Sequence, residues 1–196
     1  NMGSPAHNSQ RGMSMNRPRS ILITGCSSGI GAFCARALKK DGWRVLTTAR
    51  KPEDIARLKS EQFECFYLDY REPASIEKLV ADVLAATDGT LDALFNNGGY
   101  AQPGAVEDLP MEALREQFDA NFFGWHDLTR RIVPVMRKQG HGRIVFCSSI
   151  LGLLPQKLRG AYNASKHAIE GLMLTMRMEL WGSGIEVSLI EPGAIE

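Results

Sequence analysis

Short apolar runs alternate with longer segments of helical periodicity from residue 20 onward, and this alternation limits the fold more than any other feature. Runs rich in Ile, Val, Leu and Phe are typical of strands buried on both faces, and the helices between them supply the crossovers of a parallel sheet. We predict strands at 21–24, 44–48, 64–68, 91–96, 142–148 and 186–190, and helices at 30–40, 52–60, 75–86, 111–138 and 162–181. In the third helix, Ser75 is placed to cap the first turn. Because such crossovers are right-handed, the helices cover both faces, and the fold is a doubly wound α/β domain with three layers.

Composition and charge argue against several classes of protein. The chain of 196 residues carries 23 Lys and Arg against 22 Asp and Glu, a net charge of +1, so neither nucleic acid nor an anionic membrane is an expected partner. No run approaches the roughly 20 apolar residues of a membrane span, and the opening segment lacks the apolar part of a secretory signal, so we expect a cytoplasmic protein. The four cysteines form no C-x-x-C pair and the four histidines show no ligand spacing, so neither a metal site nor a disulfide is expected. Residues 1–18 have the composition of a flexible arm, and we place a single domain at 19–196.

The predicted first strand runs into a turn rich in Gly and Ser, with the spacing G-x-x-x-G-x-G formed by Gly25, Gly29 and Gly31. Glycines let the backbone approach a ligand closely, and the free N–H groups and dipole of the following helix attract phosphate. The spacing differs from the G-x-G-x-x-G dinucleotide fingerprint, and no Lys follows as in a P-loop. The turn indicates a pyrophosphate site. The alternative is that Gly25 only permits a tight bend and Gly31 only close helix packing.

Tyr162 and Lys166 are four residues apart in a predicted helix, so a phenol and an ammonium lie on the same helix face. A neighbouring cation stabilises phenolate and lowers the pKa of a tyrosine from about 10 towards neutral pH, which makes it a usable general acid or base. The alternative is a surface tyrosine packed on a lysine stem. A predicted strand ends in Ser148 and Ser149, and Ser149 precedes Tyr162 by 13 residues. These hydroxyls emerge at the carboxyl edge of the sheet, where ligands bind, and this favours a reactive cluster.

The combination of these motifs resembles the short-chain dehydrogenase/reductase family. It comprises the glycine turn, Asn96-Asn97-Gly98-Gly99 after the fourth strand, Asn121, Ser149, Tyr162, Lys166 and Pro192-Gly193, and it extends over residues 20–196. The resemblance implies a Rossmann-like domain and an enzyme that transfers hydride between a nicotinamide cofactor and a carbonyl or alcohol. Family members continue beyond the last of these motifs through a substrate-covering helical segment and a further strand. We therefore expect those parts to lie outside this sequence, and residues 1–196 alone to bind cofactor better than they turn over substrate.

The resemblance also implies a role for each member of the reactive cluster. Tyr162 is expected to be the catalytic acid or base, and Ser149, rather than the competing Ser148, to bind and polarise the substrate carbonyl. Lys166 is expected to lower the pKa of Tyr162 and to bind the hydroxyls of the nicotinamide ribose. Asn121 is expected to hold the water that connects Lys166 to solvent, which completes a four-residue proton relay.

The same resemblance implies the contacts with the cofactor. The residues concerned are Gly25, Ser27, Ser28, Gly29, Ile30, Gly31, Arg50, Asp69, Tyr70, Asn97, Gly98, Gly99, Tyr162, Lys166, Pro192, Gly193 and Ile195. Asp69 is expected to accept a hydrogen bond from the adenine amino group, with the backbone of Tyr70 beside it. The alternative for Asp69 is an ordinary turn residue. Gly98 stands where the family more often has Ala, which removes one methyl group and leaves the assignment intact.

The residues that follow the second strand favour NADP(H) over NAD(H). A carboxylate at this point binds the ribose hydroxyls of NAD, whereas a guanidinium accommodates the 2′-phosphate of NADP. No acid precedes Glu53, and Ala49 stands where NAD-preferring relatives usually carry Asp. Arg50 offers a planar fork for phosphate, and Lys51 adds charge. The alternative is that Arg50 and Lys51 form only a solvated loop.

An apolar stretch, Leu151-Gly152-Leu153-Leu154-Pro155, lies between the serine and the tyrosine, and we interpret it as a wall around the reacting carbonyl. It predicts an uncharged small or medium ketone, aldehyde or alcohol, including steroid- or retinoid-like compounds; the alternative is a loop covered by a neighbouring subunit.

The helices at 111–138 and 162–181 are those through which family members pair, so we expect a homodimer or homotetramer. Two functions remain open, an NADP-dependent dehydrogenase or reductase and a non-catalytic sensor that binds the dinucleotide. The complete reactive cluster favours the enzyme.

Overall fold

The computed structural model describes residues 17–194, and over this range six strands form one parallel sheet in the order β3-β2-β1-β4-β5-β6. The strands are β1 (Ser20–Ile23), β2 (Arg44–Ala49), β3 (Glu64–Tyr67), β4 (Ala93–Asn96), β5 (Gly142–Cys147) and β6 (Ile185–Ile190). The helices are α1 (Gly29–Lys40), α2 (Pro52–Ser60), α3 (Pro73–Ala86), α4 (Met111–Phe118), α5 (Gly124–Gln139) and α6 (Gly160–Glu179). The doubly wound, Rossmann-like architecture predicted from the sequence is confirmed. None of the helices in the described range is both long enough and apolar enough to cross a membrane.

The strand order places the topological switch point between β1 and β4. β1 pairs with β2 on one side and with β4 on the other, and Ile23 lies opposite both Thr47 and Phe95. The chain therefore winds away from β1 in two directions, and a crevice opens outside the carboxyl ends of β1 and β4. The segments that follow β1, β4 and β5 all reach this crevice.

The central strands are buried on both faces, as their apolar sequence requires. Leu22 of β1, Leu94 of β4 and Ile144 of β5 have no exposed surface, and α5 contributes Trp125 and Leu128 to the same core. α3 packs against α5, and α6 packs against β6. Each fully buried side chain of this size contributes about 1.5–3 kcal/mol. The core thereby fixes the strand ends that carry the site.

The structure differs from the prediction in two local details. The helix predicted at 111–138 is divided by a five-residue π-helical segment, Asp119–Phe123, which lies between α4 and α5. Ser75 does not cap α3, because the helix begins earlier, at Pro73, and Glu72 occupies the N-cap position. The Ser75 hydroxyl instead lies 2.7 Å from the carbonyl oxygen and 3.1 Å from the backbone nitrogen of Asp69. It therefore stabilises the turn after β3.

Candidate active site

The turn after β1 has the geometry that a phosphate site requires. Gly25 and Gly29 have positive φ angles of 67° and 58°, which a side chain would strain. α1 begins at Gly29 behind an extended Ser28 whose side chain does not cap it, and Ser27 to Ile30 line the cleft. A Cβ on Gly29 would meet no atom within 4 Å, so the space before the helix is open. An anion is stabilised at such a helix start.

The residue that directly follows β4, Asn97, holds the glycine turn in place. The side chain of Asn97 donates to the carbonyl oxygens of Thr24 and Gly25, at 3.0 and 3.2 Å. The backbone N–H of Asn97 donates to the Thr24 hydroxyl at 2.9 Å. A Cβ on Gly31 would overlap the Gly25 carbonyl oxygen and lie 2.5 Å from Asn97 Nδ2. Gly31 is therefore a packing residue, and its absence of a side chain brings α1 close to β4.

Arg50, Asp69, Tyr70 and Arg71 surround a cavity of about 440 Å³ at one end of the cleft, which we call the basic end. The Asp69 carboxylate is buried and accepts from the Arg71 guanidinium at 2.8 and 3.1 Å. These bonds lower the pKa of Asp69 below its ordinary value. Arg50 Nη1 lies 3.5 Å from Asp69 Oδ2, and the Arg50 side chain is 57% exposed. The basic end therefore offers the accessible guanidinium of Arg50 beside the carboxylate of Asp69, whose charge is balanced by Arg71.

Ser149 and Tyr162 border the larger part of the cleft, a cavity of about 1120 Å³. Ser149 precedes a short 3₁₀ turn, Ile150–Gly152, and its Oγ accepts a backbone N–H of that turn at 3.1 Å. Burial raises the pKa of Tyr162 above its ordinary value, and hydrogen bonding from the Ser149 hydroxyl partly offsets this rise. Ser148 is the weaker candidate, because its Oγ is buried, 2.7 Å from where a Cβ on Gly152 would stand.

Lys166 lies one helical turn after Tyr162 on α6, but its contacts differ from those expected. Its Nζ donates to the Cys147 carbonyl oxygen at 2.6 Å and stands 4.3 Å from the centre of the Trp125 ring, against 5.4 Å from that of Tyr162. Burial lowers the pKa of Lys166 to about 8. The expectation that Lys166 brings the pKa of Tyr162 towards neutral pH is wrong in this geometry, because burial raises that pKa and Lys166 does not offset it.

Asn121 is fully buried in the π-helical segment and uses its side chain on the loop after β4. Its Oδ1 accepts from the Tyr100 N–H at 3.1 Å, and its Nδ2 donates to the Tyr100 carbonyl oxygen at 2.8 Å. Gln117 makes a second pair of bonds, to the Tyr100 carbonyl oxygen at 2.9 Å and from the Gln102 N–H at 2.8 Å. The Asn121 side chain thus organises this loop. Its relay water stays a prediction.

The structure brings most of the predicted site residues to one cleft. Those that line it are Gly25, Ser27, Ser28, Gly29, Ile30, Arg50, Asp69, Tyr70, Asn97, Gly98, Gly99, Asn121, Ser149, Tyr162, Lys166, Pro192 and Gly193. Gly31 lies behind the turn, and Ile195 lies outside the described residues. The expected apolar wall is not formed by Leu153 and Leu154, which are 54% and 59% exposed and lie away from the cleft lining.

Two residues that the sequence reasoning missed connect the parts of the site. Trp125 Nε1 donates to the Gly98 carbonyl oxygen at 2.7 Å, while the Trp125 ring lies against the ammonium of Lys166. Arg57 Nη2 donates to the Ser27 carbonyl oxygen in the glycine turn at 2.7 Å. Both contacts join segments that are far apart in the sequence, so no local pattern indicates them.

Comparison with known proteins decides the family. The sequence model of a family described as short chain dehydrogenase matches residues 19–196, which is most of the chain. The chain belongs to the short-chain dehydrogenase family. The membership indicated by the motifs is confirmed, and both the glycine turn and the Tyr162–Lys166 pair of this short-chain dehydrogenase lie in the matched range.

Similar short-chain dehydrogenases are known from sequence and from structure. An Escherichia coli protein named uncharacterized oxidoreductase YbbO is 47% identical over 177 residues, which cover 90% of this chain and 66% of the relative. The crystal structure of a short-chain dehydrogenase from Streptomyces avermitilis has a TM-score of 0.88 at 37% identity and covers 92% of this chain and 67% of that one. A metagenomic short-chain oxidoreductase in complex with NADP has a TM-score of 0.84 at 32% identity, with 90% and 83% covered. This chain thus spans about two thirds of the length of the first two.

Proposed function

We propose that the protein is a short-chain dehydrogenase that uses NADP(H) to interconvert a carbonyl compound and its alcohol. One observation carries the proposal: Ser149, Tyr162 and Lys166 meet in a cleft that also contains an open helix N-terminus and Arg50. A phosphate-binding helix start and an acid–base pair work together when the group bound at the first reacts at the second. The solved relative in complex with NADP supports the choice of cofactor.

The residues of the cleft fit such a cofactor at three places. The first turn of α1 would bind the pyrophosphate through its N–H groups, and the Arg50 guanidinium would bind the 2′-phosphate with its planar fork. Lys166, Pro192 and Gly193 border the part of the cleft left for the nicotinamide. A Cβ on Gly193 would meet no atom within 4 Å, so the backbone there is accessible to the ring. When bound, the nicotinamide supplies or accepts the hydride.

The side chains of the cleft handle the proton. Because burial raises the pKa of Tyr162, its phenol is protonated at neutral pH and can donate to a carbonyl oxygen that gains charge. Ser149 would donate a second hydrogen bond to the same oxygen and polarise the carbonyl. Phe33 and Ile190 give the cleft apolar surface beside these groups. This arrangement suits a small or medium uncharged ketone or aldehyde, or the corresponding alcohol.

Tyr162→Phe tests the proton donor. We expect turnover of a panel of carbonyl compounds, followed by NADPH absorbance, to fall about 10²–10⁴-fold. NADPH affinity should stay within about twofold, because the aromatic ring is retained. Tyr67→Phe is the matched control, since it removes an exposed phenol hydroxyl that bonds to Glu72 outside the cleft.

The outcomes of this test separate the enzyme from the sensor. Wild-type turnover in Tyr162→Phe would contradict the assignment of the proton donor. A wild-type protein that includes the family's substrate-covering segment, binds NADPH and reduces no member of the panel would support the non-catalytic sensor, and in that case Tyr162→Phe should leave its biological activity unchanged.

Arg50→Asp tests the choice between the two nicotinamide cofactors. We expect the KM for NADPH to rise about 10- to 100-fold, because lost hydrogen bonds to a charged group cost about 1.5–3 kcal/mol. The KM for NADH should fall, since the new carboxylate can bind ribose hydroxyls. Steady-state kcat/KM values with both cofactors measure this. Equal or better use of NADH by the wild-type protein would remove the proposed preference.

Self-association belongs to the same proposal. Leu174 and Met178 are 42% and 78% exposed and lie one turn apart on α6, so a second copy of the chain would cover apolar surface there. We expect a homodimer or homotetramer. Sedimentation that shows a monomer at micromolar concentration would count against this part of the proposal.

A further inference from the structure

Arg71 uses most of the hydrogen-bonding capacity of Asp69 at the basic end of the cleft. Asp69 Oδ1 accepts from the backbone N–H and the Nε of Arg71, at 3.0 and 3.1 Å, and Oδ2 accepts from Nη2 at 2.8 Å. A carboxylate has about four acceptor sites, so a single residue fills three of them. The site that remains belongs to Oδ2, the oxygen nearest to Arg50 at 3.5 Å.

The other charges at the basic end leave Arg50 available to an anion. Asp54 is held by Arg57 at 2.8 Å, and Glu116, which also borders the cavity, forms no ion pair with Arg50 within residues 17–194. Within the described residues, Arg50 forms an ion pair only with Asp69. The distance of 3.5 Å between Arg50 Nη1 and Asp69 Oδ2 is too long for a good hydrogen bond. Because Arg71 supplies three hydrogen bonds to Asp69, the Arg50 guanidinium keeps its own donors for another anion.

We propose that Arg71 is a positioning residue that selects the phosphorylated cofactor by occupying the Asp69 carboxylate, which would otherwise form hydrogen bonds to Arg50. The inference rests on the proposed use of NADP(H). Without Arg71, the buried carboxylate would turn to the guanidinium beside it, because a buried charge requires a partner. The resulting pair would occupy the planar fork that the 2′-phosphate needs, and the carboxylate would repel that phosphate. Arg71 therefore acts through Asp69.

Dissociation constants of NADPH and NADH, measured by fluorescence titration, test this inference. We expect Arg71→Met to weaken NADPH binding about tenfold, because charge-assisted bonds to the phosphate are lost. NADH binding should weaken less than NADPH binding, since NADH lacks the 2′-phosphate and any loss of the expected contact between Asp69 and adenine is common to both cofactors. In the double variant Arg71→Met/Asp69→Asn, NADPH affinity should return to that of Asp69→Asn alone, because no carboxylate remains to engage Arg50.

Arg44→Met is the matched control for this test. Arg44 holds Glu64 in a comparable two-bond pair, at 2.7 and 2.8 Å, at the opposite end of β2. Removing it eliminates an arginine–carboxylate pair without touching the cleft. Both dissociation constants should therefore stay at their wild-type values.

Two results would overturn the inference. One is an unchanged preference for NADPH over NADH in Arg71→Met. The other is a loss of NADPH affinity that persists in full in the double variant, which would make Arg71 a direct phosphate contact. If circular dichroism shows that Arg71→Met does not fold, Arg71→Gln measures the same preference with a polar side chain. Failure of the wild-type protein to bind NADPH would instead remove the proposed function, so the two failures are distinguishable.

Discussion

Gly31 and Gly98 approach the same turn at distances that predict different tolerance to a methyl group. In Gly31→Ala the added Cβ would overlap the Gly25 carbonyl oxygen, which cannot move unless the turn moves. In Gly98→Ala the nearest atoms are the nitrogen and Cα of Gly25, at 3.2 and 3.3 Å, so a small shift suffices. We expect the free energy of unfolding to fall by about 1–3 kcal/mol in Gly31→Ala and by less than about 1 kcal/mol in Gly98→Ala. Denaturant unfolding measures both, and equal losses would contradict the prediction.

The sequence predicted which side chains lie at the site when their type and spacing are typical of one reaction. It did not predict the residues that those side chains contact. The spacing of Tyr162 and Lys166 indicated a shared helix face, and the structure places both at the cleft. The partners of Lys166 are Cys147 and Trp125, which come from other segments. The direction of the Tyr162 pKa also differs from the expectation, because it is raised by burial, which depends on the packing of the whole chain.

At the scale of elements, periodicity predicts where a helix runs but not how it is interrupted. The π-helical segment Asp119–Phe123 is followed directly by α5, so the helical pattern continues across it. Its position coincides with the bonds from Asn121 to Tyr100, which are tertiary contacts without a local signal. Ser75 shows the same limit, because a serine near a helix start can cap the helix or bond to an upstream turn, and here it does the second.

Gln117 joins the end of α4 to the loop after β4, so its removal should loosen that loop. Gln117→Leu eliminates the bonds to the Gln102 N–H and the Tyr100 carbonyl oxygen, at 2.8 and 2.9 Å. We expect the melting temperature to fall, at a cost of about 1–3 kcal/mol for the two bonds, and amide exchange at Gln102 to accelerate. Arg115→Leu, an exposed change on the same helix, should alter neither. Unchanged exchange at Gln102 would show that Asn121 alone holds the loop.

At the scale of the whole molecule, the alternation of strands and helices predicts the parallel sheet and also the edge at which the site forms. Arg50, Asp69, Gly98 and Ser149 follow β2, β3, β4 and β5, and they meet because parallel strands share one carboxyl edge. The strand order itself is a property of the packed chain. The hold of Arg71 on Asp69 likewise depends on side-chain geometry that follows from no periodicity.

The amino edge of the sheet, opposite the site, depends on the carboxylate of Asp92. This residue precedes β4 and accepts from the Ser20 N–H at 2.7 Å, from Arg17 at 3.0 and 3.1 Å and from His141 Nε2 at 3.0 Å. Burial raises the pKa of Asp92, but the hydrogen bonds from Ser20, His141 and Arg17 together bring it down to about 2. Asp92 thereby connects the segment before β1 with β4 and with the turn before β5.

This pKa predicts how the stability of the fold depends on pH. The pKa of Asp92 is lower in the folded chain than in the unfolded chain, where it is about 3.9. The carboxylate therefore stabilises the fold above about pH 4, and this contribution is lost as the pH falls towards about 2. Asp92→Asn should lower the free energy of unfolding by about 2 kcal/mol at neutral pH, and the difference from wild type should shrink in acid. Urea unfolding at neutral and at acidic pH measures this, with the exposed Glu107→Gln as control. A loss at neutral pH no larger than that of the control would show that Asp92 does not hold this edge together.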